Sequence, residues 1–272
     1  MMNTLSLGIV TDEISADFDT ALGCAKEWGI SLFELRCVGA GRVPDISAED
    51  AQKIEDAVRT GGITITALSP GMFKHRLTQS EDIERELKET LPRTIDMAKR
   101  FGARMIIVFG FKRAAEDGDA LRPRAIEYLK RAADIAAASD MVIAIENEPG
   151  FWCDTGERTA AIISEIGSKH LRVNWDPANA LGTDEVPYPD GYRALKGCIA
   201  NVHVKDTIEG SLLKCVPVGE GRIAWKEQIA ALMEDGIVEH VTIETHCLPL
   251  IAQSEKNIRT VRQYMDDAHS TH

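Results

Sequence analysis

One pattern constrains the fold of this chain more than any other: a short apolar run ending in a single chemically active side chain, repeated along the second half. The first is Val142-Ile-Ala-Ile-Glu146, cut off by Asn-Glu148-Pro-Gly150. The others are Leu171-Arg-Val-Asn-Trp-Asp176-Pro177, Ile199-Ala-Asn-Val-His203-Val-Lys-Asp206 and His240-Val-Thr-Ile-Glu244-Thr-His246. Short runs rich in Val and Ile, bounded by breakers, read as buried strands. Strands buried on both faces belong to a parallel sheet, and in a closed parallel barrel the chemistry gathers at the C-terminal strand ends. Glu146, Asp176, His203 and Glu244 at four successive strand ends would make a ligand set for one divalent cation.

Side-chain parity supports the same arrangement. Successive residues of a strand point to opposite faces. Two residues before each of these four stand Ala144, Asn174, Asn201 and Thr242. The other face carries Ile143 and Ile145, Val173 and Trp175, Val202 and Val204, Val241 and Ile243. Small or polar residues should therefore face the barrel axis beneath a polar site, and large apolar ones should face surrounding helices.

Four earlier runs complete the set, at residues 5–10, 31–36, 63–68 and 104–109. A helix from Asp17 carries Phe18, Ala21, Leu22, Ala25 and Trp28 on one face and stops at Gly29. Ser47 caps the next, with Asp50 at the capping-box position and Gly61-Gly62 closing it. A long helix over 80–101 should kink or restart at Pro92, and further helices are expected at about 119–138 and 155–166. A short segment at 190–196, a turn-rich loop at 216–225 leading into a helix to about 235, an amphipathic helix at 254–267 and a frayed tail at 269–272 follow. Strand starts recur about every 25 to 40 residues, the scale of a βα unit. The expected fold is α/β, a single-domain (β/α)8 TIM barrel spanning residues 1–272, typical of a fold of about 250 residues. An open doubly wound sheet would place a Gly-rich phosphate loop after its first strand; Thr11-Asp12-Glu13 stands there instead.

A net charge of −12 argues against an extended surface for nucleic acid, yet leaves room for a small anionic substrate served by one local Lys or Arg. The six cysteines include no CxxC pair and read as reduced thiols. The start lacks a basic, then apolar, leader pattern, and no apolar run approaches the roughly 18 residues of a membrane span. A cytoplasmic protein without membrane or nucleic-acid partners is expected.

Ile145-Glu146-Asn147, Trp175-Asp176-Pro177-Ala178-Asn179, Val202-His203-Val204-Lys205-Asp206, Gly219-Glu220-Gly221 and Ile243-Glu244-Thr245, in this order at strand ends, resemble the xylose isomerase-like TIM barrel superfamily. This is the sugar phosphate isomerase/epimerase family, and the resemblance covers essentially the whole chain. Ketose 3-epimerases, hydroxypyruvate isomerases, inosose dehydratases and endonuclease IV are among its members. The resemblance implies that Glu146, Asp176, His203 and Glu244 are metal ligands and that the two glutamates are the acid/base pair. A set of three carboxylates and one imidazole suits Mn²⁺, Mg²⁺ or Co²⁺, and accepts Zn²⁺. The implied activity is isomerisation or epimerisation of a sugar or sugar phosphate through a metal-stabilised enediolate. A lyase or dehydratase acting on a keto-sugar or keto-inositol is the main alternative. A non-catalytic sugar-binding barrel ranks below it. DNA repair ranks last, because endonuclease IV takes a further histidine ligand where strand four here ends in Phe109. A homo-oligomer is compatible with all of these.

Other residues are expected around a substrate. Arg222 would hydrogen-bond its oxygens. Lys205 would hold an anionic or hydroxyl group, or else pair with Asp206. Glu34 would bind a distal hydroxyl, or pair with Arg36. Trp152 and Phe151 would form an apolar wall, or simply pack. His246 would support Glu244, and His75 would either reach in from its loop or stay exposed. Asn179 occupies the position, three after Asp176, where several relatives carry a histidine.

Overall fold

The eight apolar runs become strands, each packed on both faces. They are β1 (Ser6–Val10), β2 (Leu32–Leu35), β3 (Thr64–Leu68), β4 (Met105–Val108), β5 (Val142–Glu146), β6 (Leu171–Trp175), β7 (Ile199–Val204) and β8 (His240–Ile243). The structure is a computed structural model and describes residues 3–209 and 214–270. Every neighbouring pair of these strands is parallel, and β1 closes on β8 with Ser6 opposite His240. The result is a closed barrel wrapped by helices, as the strand spacing predicts, and the open sheet is excluded.

Local chemistry sets the helix boundaries. Asp17 caps the helix Phe18–Glu27 by accepting the Thr20 amide at 2.8 Å, and Gly29 ends the turn at φ 67°. Ser47 caps Ala48–Arg59 by accepting the Asp50 amide at 3.0 Å. The Asp50 carboxylate takes the Ser47 hydroxyl at 2.7 Å, so the expected reciprocal capping box is replaced by a side-chain pair. The helix expected over 80–101 is interrupted as Pro92 requires. A π turn, Glu86–Thr90, joins Ser80–Arg85 to Leu91–Phe101, and the Leu91 amide just before Pro92 donates to the Glu86 carbonyl. The closing helix runs Leu250–Ser270, longer than expected at both ends. His269 and Ser270 therefore continue the helix rather than fray, and Thr271 and His272 lie outside the described residues. Two small antiparallel ribbons, Cys37–Val38 with Gly41–Arg42 and Asp206–Thr207 with Cys215–Val216, follow β2 and β7.

Parity divides the interior as expected. Ile143, Ile145, Val173, Trp175, Val202, Val204, Val241 and Ile243 are buried in the main apolar core. Inside the barrel, Ala67, Ile107 and Ala144 make a separate small apolar cluster. Beside it runs a buried polar chain. Thr242 Oγ1 donates to Asn201 Oδ1 (3.1 Å), Asn201 Nδ2 to Asn174 Oδ1 (3.0 Å) and Asn174 Nδ2 to Glu146 Oε2 (3.3 Å). Each buried amide is thereby satisfied, and the chain ends on a candidate ligand. No disulfide joins any of the six cysteines, and among the described residues no helix is long and apolar enough to cross a membrane.

Candidate metal centre

The barrel brings four strand ends to one point. Glu146 is the last residue of β5, Asp176 follows β6, His203 is next to last in β7 and Glu244 follows β8. All four are buried, and one donor atom from each lies within 4.8 Å of the others. Asp176 is held by its own chain: as N-cap of the turn Pro177–Ala180, its Oδ1 accepts the amides of Ala178 (2.9 Å) and Asn179 (3.0 Å).

His203 carries the most informative geometry. Its Nε2 lies 2.8 Å from Glu34 Oε2, so that nitrogen is the donor. Its Nδ1 makes no hydrogen bond, and sits 3.6 Å from Glu146 Oε2 and 3.5 Å from Glu244 Oε2. A buried ring nitrogen turned towards two carboxylates, its partner nitrogen backed by a third, is how a metal-binding imidazole is oriented. Burial opposes charge on this ring, but Glu34, Glu244 and Glu146 outweigh it and raise the His203 pKa well above its ordinary value. The same negative field favours a metal cation. The hard donors, their spacing and the unpartnered Nδ1 all fit a divalent ion.

The two glutamates have different neighbours. Burial would raise the Glu146 pKa, but the His203 ring lowers it, and the amides of Asn174 and Asn179 each lie 3.3 Å from its oxygens. Glu244 is ringed by cations: Arg36 Nη1 at 2.9 Å, Lys205 Nζ at 3.0 Å and His246 Nε2 at 3.1 Å. Against burial, Lys205, His246 and His203 hold its carboxyl well below the usual range. Burial, ahead of the neighbouring Glu146 charge, pushes Glu148 up to about 7.

Several expectations are corrected by this arrangement. Glu34 is 1 % exposed, lines the cleft, is bound to His203 and Ser69, and does not pair with Arg36. Its place in β2 directs it across the barrel beneath His203. Arg36 instead joins Asp12, Glu13 and Glu244. Lys205 does not pair with Asp206. Its ammonium lies inside the cluster, 2.6 Å from Asp176 Oδ2 and 3.0 Å from Glu244 Oε2. Asp206 is occupied by the backbone amides of Thr207, Gly219, Gly221 and Ile223. The loop wound around that carboxylate leaves Arg222 in a separate cavity with Asp184 and Tyr188, away from the ligand set.

Trp152 is buried under the Arg113 guanidinium rather than facing a substrate. Phe109 supplies the apolar wall of the cleft, with Phe151 against it at 5.8 Å. His75 stays outside the cleft, near Asp82 and Glu86. Asn179 is central: its amide reaches Glu146, the Asn147 carbonyl and Glu148. His246 spans Glu244 and Glu13, in a left-handed backbone conformation at φ 51°.

A cleft of about 220 Å³ opens over the cluster. It also exposes Arg36, Arg42, Lys74 and Glu148, which the sequence reading did not assign to a site. Glu148, two residues beyond Glu146 in the opening motif, carried a usable signal. Arg42 and Lys74 reach the cleft from loops, where periodicity says nothing.

The family described as Xylose isomerase-like TIM barrel matches residues 22–268. Among solved structures, the probable 3-DHS dehydratase AsbF involved in petrobactin synthesis from Bacillus anthracis is similar at 18% identity, TM-score 0.80, covering 95% of this chain and 98% of that one. A xylose isomerase-like TIM barrel protein from Mycobacterium smegmatis in complex with magnesium is similar at 17% identity, TM-score 0.73, covering 98% of each chain. D-allulose 3-epimerase from Methylomonas sp. in complex with D-allulose is similar at 15% identity, TM-score 0.77, covering 97% of this chain and 100% of that one. Identities this low carry the fold and leave the reaction to the site. From its closed parallel barrel, its strand-end cluster of carboxylates and imidazole and the match over 22–268, the chain belongs to the xylose isomerase-like TIM barrel family.

Proposed function

We propose that the chain is a divalent-metal-dependent isomerase or epimerase of a sugar or sugar phosphate, with Glu146 and Glu244 as acid and base. The observation that carries this reading is His203: a buried, unpartnered Nδ1 facing both glutamates, with Glu34 fixing the ring from behind. A bound divalent ion would polarise the substrate carbonyl and stabilise the enediolate left when the α-proton departs. One of the two glutamates accepts that proton and the other returns one. Return to the opposite face gives the epimer, and return to the adjacent carbon gives the isomer. Six cysteines with no disulfide among them fit a reducing, cytoplasmic setting.

One feature favours a dehydratase as the second reading. Glu148 is a further carboxyl in the cleft, outside the proposed ligand set, and stands where an acid could protonate a leaving hydroxyl. Incubating the protein with Mn²⁺ and a panel of ketoses, aldoses and keto-inositols in deuterated water separates the two. Deuterium incorporation marks proton abstraction, and product masses reveal loss of water. For Glu146→Gln and Glu244→Gln, saturating metal should restore the melting temperature but not the exchange. Near-normal exchange in both variants at saturating metal would remove the glutamates from the acid/base role.

A further inference from the structure

The cleft holds more positive charge than its carboxylates engage. Arg36 is committed to Asp12, Glu13 and Glu244, and Lys205 to Asp176 and Glu244. Arg42 and Lys74 line the same cleft, and among the described residues no carboxylate lies within ion-pair distance of either. Arg42 comes from the ribbon after β2. Its Nε donates to the Ser69 carbonyl at 2.9 Å, which leaves the guanidinium Nη groups for another acceptor. The loop after β3 passes so close that a Cβ on Gly71, at φ 77°, would stand 2.8 Å from Arg42 Cζ. The guanidinium thus packs close against the Gly71 backbone.

Lys74 is placed by the same loop. Phe73 adopts φ 65°, and its amide is held at 2.9 Å by Glu86, from the π turn. The Lys74 Nζ then lies 3.9 Å from the centroid of the Phe109 ring. Burial pulls down the pKa of both cations, so holding them here unpaired opposes their charge. A neutral hydroxyl does not require that arrangement, since amides and carbonyls would serve it. An anion does, all the more in a chain of net charge −12, whose overall field repels one.

The geometry points to an oxyanion subsite: Arg42 and Lys74 together bind a carboxylate or phosphate carried by the substrate, away from the carbons that react at the metal centre. This rests on the metal-centred reading of the same cleft, and makes the substrate an acidic keto-sugar or a sugar phosphate rather than a neutral sugar.

The test is calorimetric binding to the full-length, Mn²⁺-loaded protein with three probes: D-fructose, D-fructose 6-phosphate and 5-keto-D-gluconate. At low salt at least one anionic probe should bind about tenfold or more tighter than fructose, and the tighter of the two identifies phosphate or carboxylate as the handle. Arg42→Gln and Lys74→Gln should each weaken that probe about tenfold, the scale of one lost charge-assisted hydrogen bond. Arg42→Lys and Lys74→Arg should recover part of the affinity, which controls for folding. Added salt should weaken the anionic probe and leave fructose unchanged. Fructose binding as tightly as both anionic probes, or anionic binding unaffected by both Gln variants, overturns the subsite. Deuterium exchange on the same probes keeps the two readings apart. Exchange that ignores Arg42 and Lys74 retains the enediolate chemistry and refutes the handle. Charge-dependent anion binding with no exchange on any substrate does the reverse.

Discussion

Replacing Glu34 by Gln tests the centre from behind rather than at a ligand. The Glu34 carboxylate accepts from His203 Nε2 at 2.8 Å, from the Ser69 hydroxyl and from Asn201 Nδ2 at 3.4 Å. Gln keeps the shape and one acceptor oxygen. If that oxygen stays on the imidazole it also keeps the Asn201 amide, and the new NH2 group faces the Ser69 hydroxyl. If it turns away, His203 loses its acceptor and Nδ1 is no longer reserved for a metal. Either way the buried negative charge that makes the ring a stronger donor is gone. Loss of such a supporting carboxylate lowers metal affinity by on the order of 10- to 100-fold, or about 1.4–2.8 kcal/mol. Calorimetric titration of Mn²⁺ into the wild type and Glu34→Gln measures this directly, with melting temperatures at saturating metal as a control for folding. If Glu34 instead held a substrate hydroxyl, metal affinity would be unchanged and only KM would rise. That result would refute the reading of Glu34 as the support of His203.

Removing metal with a chelator should lower the melting temperature, because clustered carboxylates lose the cation between them. At free metal about 100 times Kd the stabilisation is about 2.7 kcal/mol, or roughly 5–10 °C for a chain of this size; an unchanged thermal scan would argue against a structural hold by the ion. Gln228→Leu removes the acceptor that lies 2.6 Å from the buried Trp175 indole nitrogen. Stranding that donor costs about 1–3 kcal/mol, and the lower end is expected because Gln228 Nε2 is itself unpartnered; denaturant titration checks it. Arg131 and Lys88 hold the Glu84 carboxyl down to about 2, from an ordinary value near 4.5. A depressed carboxylate stabilises the fold above its unfolded pKa and loses that contribution as pH falls through the folded one. The melting-temperature gap between the wild type and Arg131→Gln should therefore shrink between pH 4.5 and about 2, and a gap that widens on acidification contradicts the pairing.

The barrel and the four side chains that meet at its strand ends are legible in the chain because both follow its periodicity. Alternation in the four runs ending near Glu146, Asp176, His203 and Glu244 separates an axis-facing set from a helix-facing set. A strand buried on both sides leaves few other ways to place them. Pro92, Gly29 and the capping residues Asp17 and Ser47 act locally, so their effects on helix boundaries are also readable. What is not local is not readable. Partner choice among buried charges depends on which loops converge, and several pairs separated by nearest-neighbour logic turn out to be wrong. Glu34 skips Arg36 for His203, which stands 169 positions away. Lys205 ignores the adjacent Asp206 for Asp176 and Glu244, because backbone amides already fill Asp206.

By itself, then, the sequence determined the closed parallel barrel, the polar layer on its axis and the four side chains that meet above it, since strand period and strand-end position depend only on residue order. Tertiary structure alone decided which nitrogen of His203 is presented, that Arg222 and Trp152 turn away from the cleft, and that Arg42 and Lys74 enter it unpaired. These depend on loop paths whose shape is set by contacts between residues far apart in the chain, and a linear pattern carries no measure of those contacts.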